Sequence, residues 1–500
     1  MLLTLIIIIP ALGGLIAWMV SGHSKPAVRW ISLLACVVDF LLSIYVWITF
    51  PPNGGQSGLI LEQNNSWIPQ FGISYHLAMD GFSLLLVVLT GLLGAIAVAI
   101  SWNEITEKVG SFHFALLALL SGVMGVFLAY DLVLFYFFWE LMLIPMYFLI
   151  ALWGHENRIY AAVKFFIFTF LSGVFMLLAI IGLYVAHGRA TGIYTFDYLT
   201  ILASAASNPY SIWLMLGFFV AFAVKLPAVP IHSWLPDAHT EAPTAGSLIL
   251  AGLLLKTGAY GIMRFAIPLF PSASSDIRTA AMVIGTVGVL YGAVCAYSQR
   301  DFKRMVAYTS VSHMGFILIG AYAGTEMALQ GVVIQILSHG ISTGALFIMA
   351  GIIQERTHTR DFDKLGGLWA TTPKLGGFLL LFALASLGLP AMGNFVGEFL
   401  ILMGTYQVSP VITIIASTGF VFSAVYALKL LQMSIYGKNE NNWDVKDLNT
   451  REIVTLALLS IVIIWLGLFP QPIFNTAKQS LIAIQQSVTS SGDQESRVIR

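Results

Sequence analysis

The chain has 500 residues, 58% of them hydrophobic and only 10% charged, and its 24 basic residues balance 24 acidic ones. Soluble domains carry about 25% charge, so a water-soluble globular class is excluded, and a zero net charge argues against nucleic acid as a partner. Cys36 and Cys295 both fall in apolar runs and give neither a disulfide framework nor a metal site. No haem, flavin or dinucleotide spacing is visible, so the chain is expected to hold no cofactor and to do no redox chemistry itself.

A span across a bilayer takes roughly 20 apolar residues. Taken in order, the pattern predicts an all-α polytopic membrane protein of fourteen spans: 2–21, 29–50, 78–100, 112–129, 132–152, 159–186, 209–231, 243–267, 277–298, 303–322, 327–354, 374–405, 409–436 and 452–471. The first begins with no basic residue ahead of it, which predicts a retained span and not a cleaved signal peptide. The seventh and twelfth contain proline and should be broken. Loops after odd-numbered spans carry fourteen Lys and Arg, including Lys303, against six on the other side, including Arg264 and three in the C-terminal tail with Arg500. Odd loops should therefore face the cytoplasm and both termini the outside. The segment Pro51–Leu77 has no Lys or Arg and reads as an outer loop.

The stretch around the seventh span organises the rest. Lys225 and Lys256 sit in apolar runs, with Pro227, Pro230, Pro236 and Pro243 between them. Lys225-Leu226-Pro227-Ala228 is echoed by Gly388-Leu389-Pro390-Ala391, five spans later. An odd number of spans per repeat puts the two copies in opposite orientations, the pattern of inverted-repeat transporters whose broken helices mark the site.

Lys164, Lys225, Lys256 and Lys429 are the lysines inside spans. Ionisable groups at that depth point to function. Lys256 lies eleven to thirteen residues from either helix end, roughly 16–20 Å, too far to snorkel. Lys225 and Lys256 are thus the proton-carrying candidates. Glu140, about 14 Å into its helix, is a partner able to tune Lys225 or a structural ion pair. His313 and His339 titrate near neutrality and relay protons or simply pack. Thr309, Ser312, Gln335, Ser338, Ser342 and Thr343 are possible water-binding neighbours. Glu398 follows the second break and is a terminal proton site or a helix cap. Lys164 and Lys429 lie near span ends, where they can snorkel, and rank lower. Asp80 and Asp131 read as N-caps. His232, Asp237, His239 and Glu241 mouth a cytoplasmic pathway or form a solvated loop.

The runs FFWELMLIPMYFLIALWG, AFAVKLPAVPIHSWLPDAHTEAPTAGS, LLKTGAYGIMRF, DFKRMVAYTSVSHMGF and GNFVGEF resemble the antiporter-like membrane subunits of respiratory complex I, along nearly the whole chain. The resemblance implies three N-terminal helices (1–110), two inverted five-helix repeats (111–270 and 271–440), and a last helix with a tail (441–500). It implies that Glu140 pairs with Lys225, that Lys256 links toward His313 and His339, and that Glu398 is the titratable residue of the second broken helix. It places NADH, FMN, iron–sulfur clusters and quinone in partner subunits, the antiporter-like chains L and N and small membrane subunits beside this chain, and the whole in the bacterial inner membrane. Related branches carry lysine where this chain has Glu398, which disfavours chains L and N and the multi-subunit cation/proton antiporters. An antiporter or membrane-bound hydrogenase subunit and a purely structural scaffold are the alternatives.

Overall fold

The computed structural model describes residues 1–50, 58–204 and 210–498, and side chains as far as residue 487. Arg497 and Arg500 of the charge count lie outside the described side chains, as does the start of the segment expected as an outer loop.

Twelve helices among the described residues are long and apolar enough to cross a bilayer. They are Leu2–Val20, Lys25–Thr49, Gly81–Glu104, Val109–Leu128, Leu132–Trp153, Arg158–Thr191, Thr244–Leu269, Arg278–Ser298, Phe302–Ala323, Glu326–Thr357, Pro410–Ser434 and Thr450–Leu468. They occupy the places of every predicted span but the seventh and twelfth, which are each in two pieces. Several starts are fixed by a side chain that accepts from the first free N–H groups: Ser24, Asp80, Asp131, Asp301, Thr325 and Asn449. Asp80 and Asp131 are thus caps, as their positions predicted.

The seventh helix runs Ser211–Lys225 and stops where Pro227 lacks an N–H; its second piece is Trp234–Glu241. The twelfth runs Pro373–Leu387, turns through Gly388 at φ +88° and Ala391 at φ +76°, and resumes at Gly393–Tyr406. The fifth, expected as one piece, is interrupted at Met142. The eighth contains two π-helical segments, Leu250–Leu254 and Ile262–Ala266. Such segments mark strained, often functional, places in a helix.

Two segments outside the spans are regular as well. Within the segment 51–77, the described residues form strand β1 (Leu59–Ile68), which pairs antiparallel with β2 (Ile73–Asp80). β1 groups its polar residues in one run, Glu62 to Ser66, between apolar ends, and so lacks the alternation that announces a strand. The tail after the fourteenth span is helical too, over Gln471–Val498. It is pinned where Trp47 donates to Thr476 and the Phe82 N–H to Ser480.

Loops of like parity meet. Leu77 bridges Ala129 and Asp131 bridges Asp197 on the even face; Asp301 bridges Asp361 and the His155 N–H donates to Glu241 on the odd face. Successive spans are therefore antiparallel. The eighth and eleventh are buried throughout their apolar windows, whereas the first, second, sixth, thirteenth and fourteenth bury only a minority of theirs. The polar residues of interest sit on the buried pair and its neighbours.

Candidate functional site

Close helix packing brings the groups together. A Cβ on Gly340 of the eleventh span would meet the Gly252 carbonyl of the eighth at 3.0 Å. Small residues at a crossing let two backbones approach. One turn beyond Gly252 stands Lys256, and beside Gly340 stands His339. Lys256 Nζ lies 2.5 Å from His339 Nδ1 and donates to the Ala251 carbonyl at 2.6 Å, within the π-helical segment. Both side chains are fully buried.

His339 and His313 rings lie 5.4 Å apart, edge to face. His313 Nδ1 is 2.6 Å from Glu398 Oε1, so Nδ1 carries the hydrogen and the carboxylate accepts. Its Nε2 lies 3.2 Å from Ser386 Oγ and 3.3 Å from the Tyr426 hydroxyl. Gln335 Nε2 also donates to Glu398 Oε1, at 2.9 Å. The approach is again set by glycine: a Cβ on Gly397 would press on Gln335 at 2.7–2.8 Å. Glu398 thus faces the histidine and the glutamine and caps nothing, lying well inside its helix. Lys256, His339, His313 and Glu398 form a continuous row across four spans.

Lys225 ends the first piece of the seventh span, buried, with Nζ 5.4 Å from the Trp139 ring centre and 5.5 Å from that of Phe165. Glu140 follows Trp139, with Oε1 turned toward Gly173 and no hydrogen-bond partner for it among the described residues. The two charges act on each other across a gap, not in a direct ion pair. No hydrogen bond joins Lys225 to Lys256 among the described residues. A Cβ on Gly258 would meet the Phe222 carbonyl and Leu226 nitrogen at 2.7 Å, so the eighth span lies directly against the end of the seventh's first piece.

Of the expected water-binding neighbours, Thr309 and Ser312 are spent on backbone carbonyls, of Val306 and Val289. Ser338 Oγ, Ser342 Oγ and Thr343 Oγ1 are buried beside His339 with no protein partner among the described residues, as are His339 Nε2 and Gln335 Oε1. Buried polar groups are paired in native proteins, with ordered water where protein does not serve.

Other residues stand differently from expectation. Arg264, counted as a loop charge, is buried inside the eighth span and paired with Asp80. Lys303, also counted in a loop, is fully buried in the first turn of the tenth. Both lie within a few residues of a predicted span end, where sequence does not fix depth. Lys164 pairs with Asp237 at 2.6 Å, and Asp237 also holds Arg304 at 3.0 Å. Lys429 donates to the carbonyls of Tyr297 and Gln299. The segment around His232, His239 and Glu241 is buried, not a solvated loop. Asp39, in mid-helix of the second span, is a further buried carboxyl.

Residues 129–423 match the family described as NADH:quinone oxidoreductase/Mrp antiporter, TM. The chain is 52% identical to NADH-quinone oxidoreductase subunit M of Pseudomonas aeruginosa over 498 residues, covering 97% of this chain and 98% of that one. It is 50% identical to the protein of that name from Escherichia coli (strain K12), with the same coverage. Among solved structures it superposes on a chain of respiratory complex I from Thermus thermophilus with a TM-score of 0.89 at 30% identity, covering 98% of this chain and all of that one. A chain of the Mrp complex from Dietzia shares the fold, with a TM-score of 0.82 at 21% identity over 98% of this chain and 52% of that one.

Proposed function

The chain belongs to the family of NADH-quinone oxidoreductase subunit M, and from that premise we propose that its buried row carries protons across the bacterial inner membrane while quinone is reduced in other subunits. It is an integral membrane part of an oxidoreductase complex with membrane-arm partners. Chains L and N and small membrane subunits are the neighbours we assign. NADH, FMN, iron–sulfur clusters and quinone belong to partner subunits, and this chain's share is proton transfer alone. The odd face is the cytoplasmic one, and both termini lie outside.

The observation that carries the reading is the contact series Lys256–His339–His313–Glu398, buried at each member. Lysine, imidazole and carboxylate each bind and release a proton, and the unpartnered hydroxyls beside His339 offer sites for the water that links them. Upstream, Glu140 supports the Lys225 ammonium. Moving Glu140 away leaves that ammonium without its counter-charge in a low-dielectric site, which drives its proton toward Lys256. From Lys256 the proton passes to His339, then His313, then Glu398. Two inverted five-helix repeats, 111–270 and 271–440, frame the row; the matching breaks after Lys225 and Leu387 support that division.

The test uses the whole complex in liposomes, with NADH oxidation and internal acidification followed together. Glu140→Gln and Lys225→Met are expected to assemble, and to slow acidification by about tenfold or more. A scaffold role predicts failed assembly instead. Wild-type pumping by both variants would remove the upstream half of the reading. Sodium exchange without NADH would favour the antiporter alternative.

A further inference from the structure

Lys303 is a buried cation that the row leaves unused. Its Nζ donates to the Ala242 carbonyl at 2.9 Å and lies 3.4 Å from His155 Nε2. Glu104, Glu241 and Asp301 lie within electrostatic reach of it, but none makes a direct ion pair with it among the described residues. Glu104 accepts from the Thr244 N–H and hydroxyl, Glu241 from the Asn157 N–H, and Asp301 pairs with Arg360. An ammonium buried without a direct ion pair is costly, and a carbonyl can be capped by a neutral group. A charge-bearing side chain there is better explained by proton traffic than by packing.

The surroundings give that traffic both ends. His155 lines a cavity of about 780 Å³ on the odd face, together with Arg158, Asp301, Gln354 and Arg360. Burial, then the Lys303 and Arg360 charges, push its ring down to about 3, so it stays neutral and accepts from the Lys303 ammonium. Inward stands His239, fully buried and stacked on Phe347 at 4.3 Å, with neither ring nitrogen partnered among the described residues. His239 is within electrostatic reach of Lys303 and Lys256, and His339 is within reach of His239.

We propose that Lys303 is the intake residue of the row, taking protons from water in the His155 cavity and handing them to His239. This rests on the proton-transfer reading above. In the first step an O–H bond of a protonated water breaks and an N–H bond forms on neutral Lys303. In the second that N–H breaks and one forms on a His239 ring nitrogen, restoring neutral Lys303. The proton then joins the Lys256–His339 pair. His155 is a positioning residue.

Three variants of the whole complex in liposomes decide the matter. Lys303→Arg keeps the charge but cannot release a proton. Lys303→His keeps a titratable group of smaller size. Lys256→Met interrupts the row. Lys303→Arg should assemble yet pump at least about two-fold more slowly than Lys303→His. A structural charge would show the opposite order, and that order, or equal rates, overturns the proposal. If Lys256→Met stops pumping while Lys303→Arg pumps as wild type, the intake falls and the row stands. If both pump normally, the row itself falls and the intake with it. Should Lys303→Arg fail to assemble, Lys303→His decides: pumping of at least half the wild-type rate supports the proposal, and less overturns it.

Discussion

Glu398 receives two donors on one oxygen, the His313 imidazole and the Gln335 amide. Gln at this position would keep the shape and one accepting oxygen but lose the charge, and would put a donor where the second carboxylate oxygen stands. Glu398→Gln is therefore expected to leave assembly intact and to slow pumping by about tenfold or more. Pumping within twofold of wild type would mean that the proton leaves the row before Glu398. The members of the row were legible as ionisable residues in apolar runs. Their links were not, because Lys256 meets His339 across 83 residues and His313 meets Glu398 across 85. Nor was the gap between Glu140 and Lys225, which depends on where Gly173 lets the carboxylate turn. Lys303 and Arg264 fall just inside predicted spans and were counted with the loop charges, because sequence does not show whether a side chain near a span end turns to water or to the core.

The two helix breaks were legible because proline and glycine act locally. The hairpin was not, since β1 groups its polar residues in one run and only β2 sinks toward the core. What fastens it is His76, whose ring lies 2.5 Å from Asp197 and 3.0 Å from Glu62. Burial disfavours the charged ring, but the hydrogen bond to Asp197 and the two carboxylate charges outweigh it, and the His76 pKa is raised. Asp197 is lowered: burial opposes its charge, and the bonds to His76 and Thr200 overcome that. A raised histidine lends stability below its ordinary pKa and withdraws it as pH climbs through the raised value; a lowered aspartate does so as pH falls through the lowered value. The clamp is therefore tightest in the acidic-to-neutral window between them. Protease nicking within residues 59–80 should increase from pH 6 toward pH 9 relative to a distant loop of the same protein. His76→Gln should remove that dependence; a mutant with the wild-type profile would show that another group holds the hairpin.

At the scale of the molecule, the second piece of the seventh span is gripped from both proposed repeats: Asp237 holds Lys164 of the sixth span and Arg304 of the tenth. The same piece carries His239 and ends against the Ala242 carbonyl that orients Lys303. A displacement of one repeat relative to the other is thus passed, through Asp237, to the segment beside the row. Lys164, Asp237 and Arg304 are all partly exposed, so removing the carboxylate leaves cations that water can serve, and the loss of stability should be only about 0.5–1 kcal/mol. Function depends on position, and there the loss should be larger. Asp237→Asn is expected to assemble and melt close to wild type while pumping at least about two-fold more slowly, with Asp237→Glu recovering part of the rate. A fall in stability matched by an equal fall in pumping would reduce Asp237 to a fastening. Unchanged pumping would show that the halves are coupled elsewhere, with the Gly252–Gly340 crossing between the eighth and eleventh spans the next place to test.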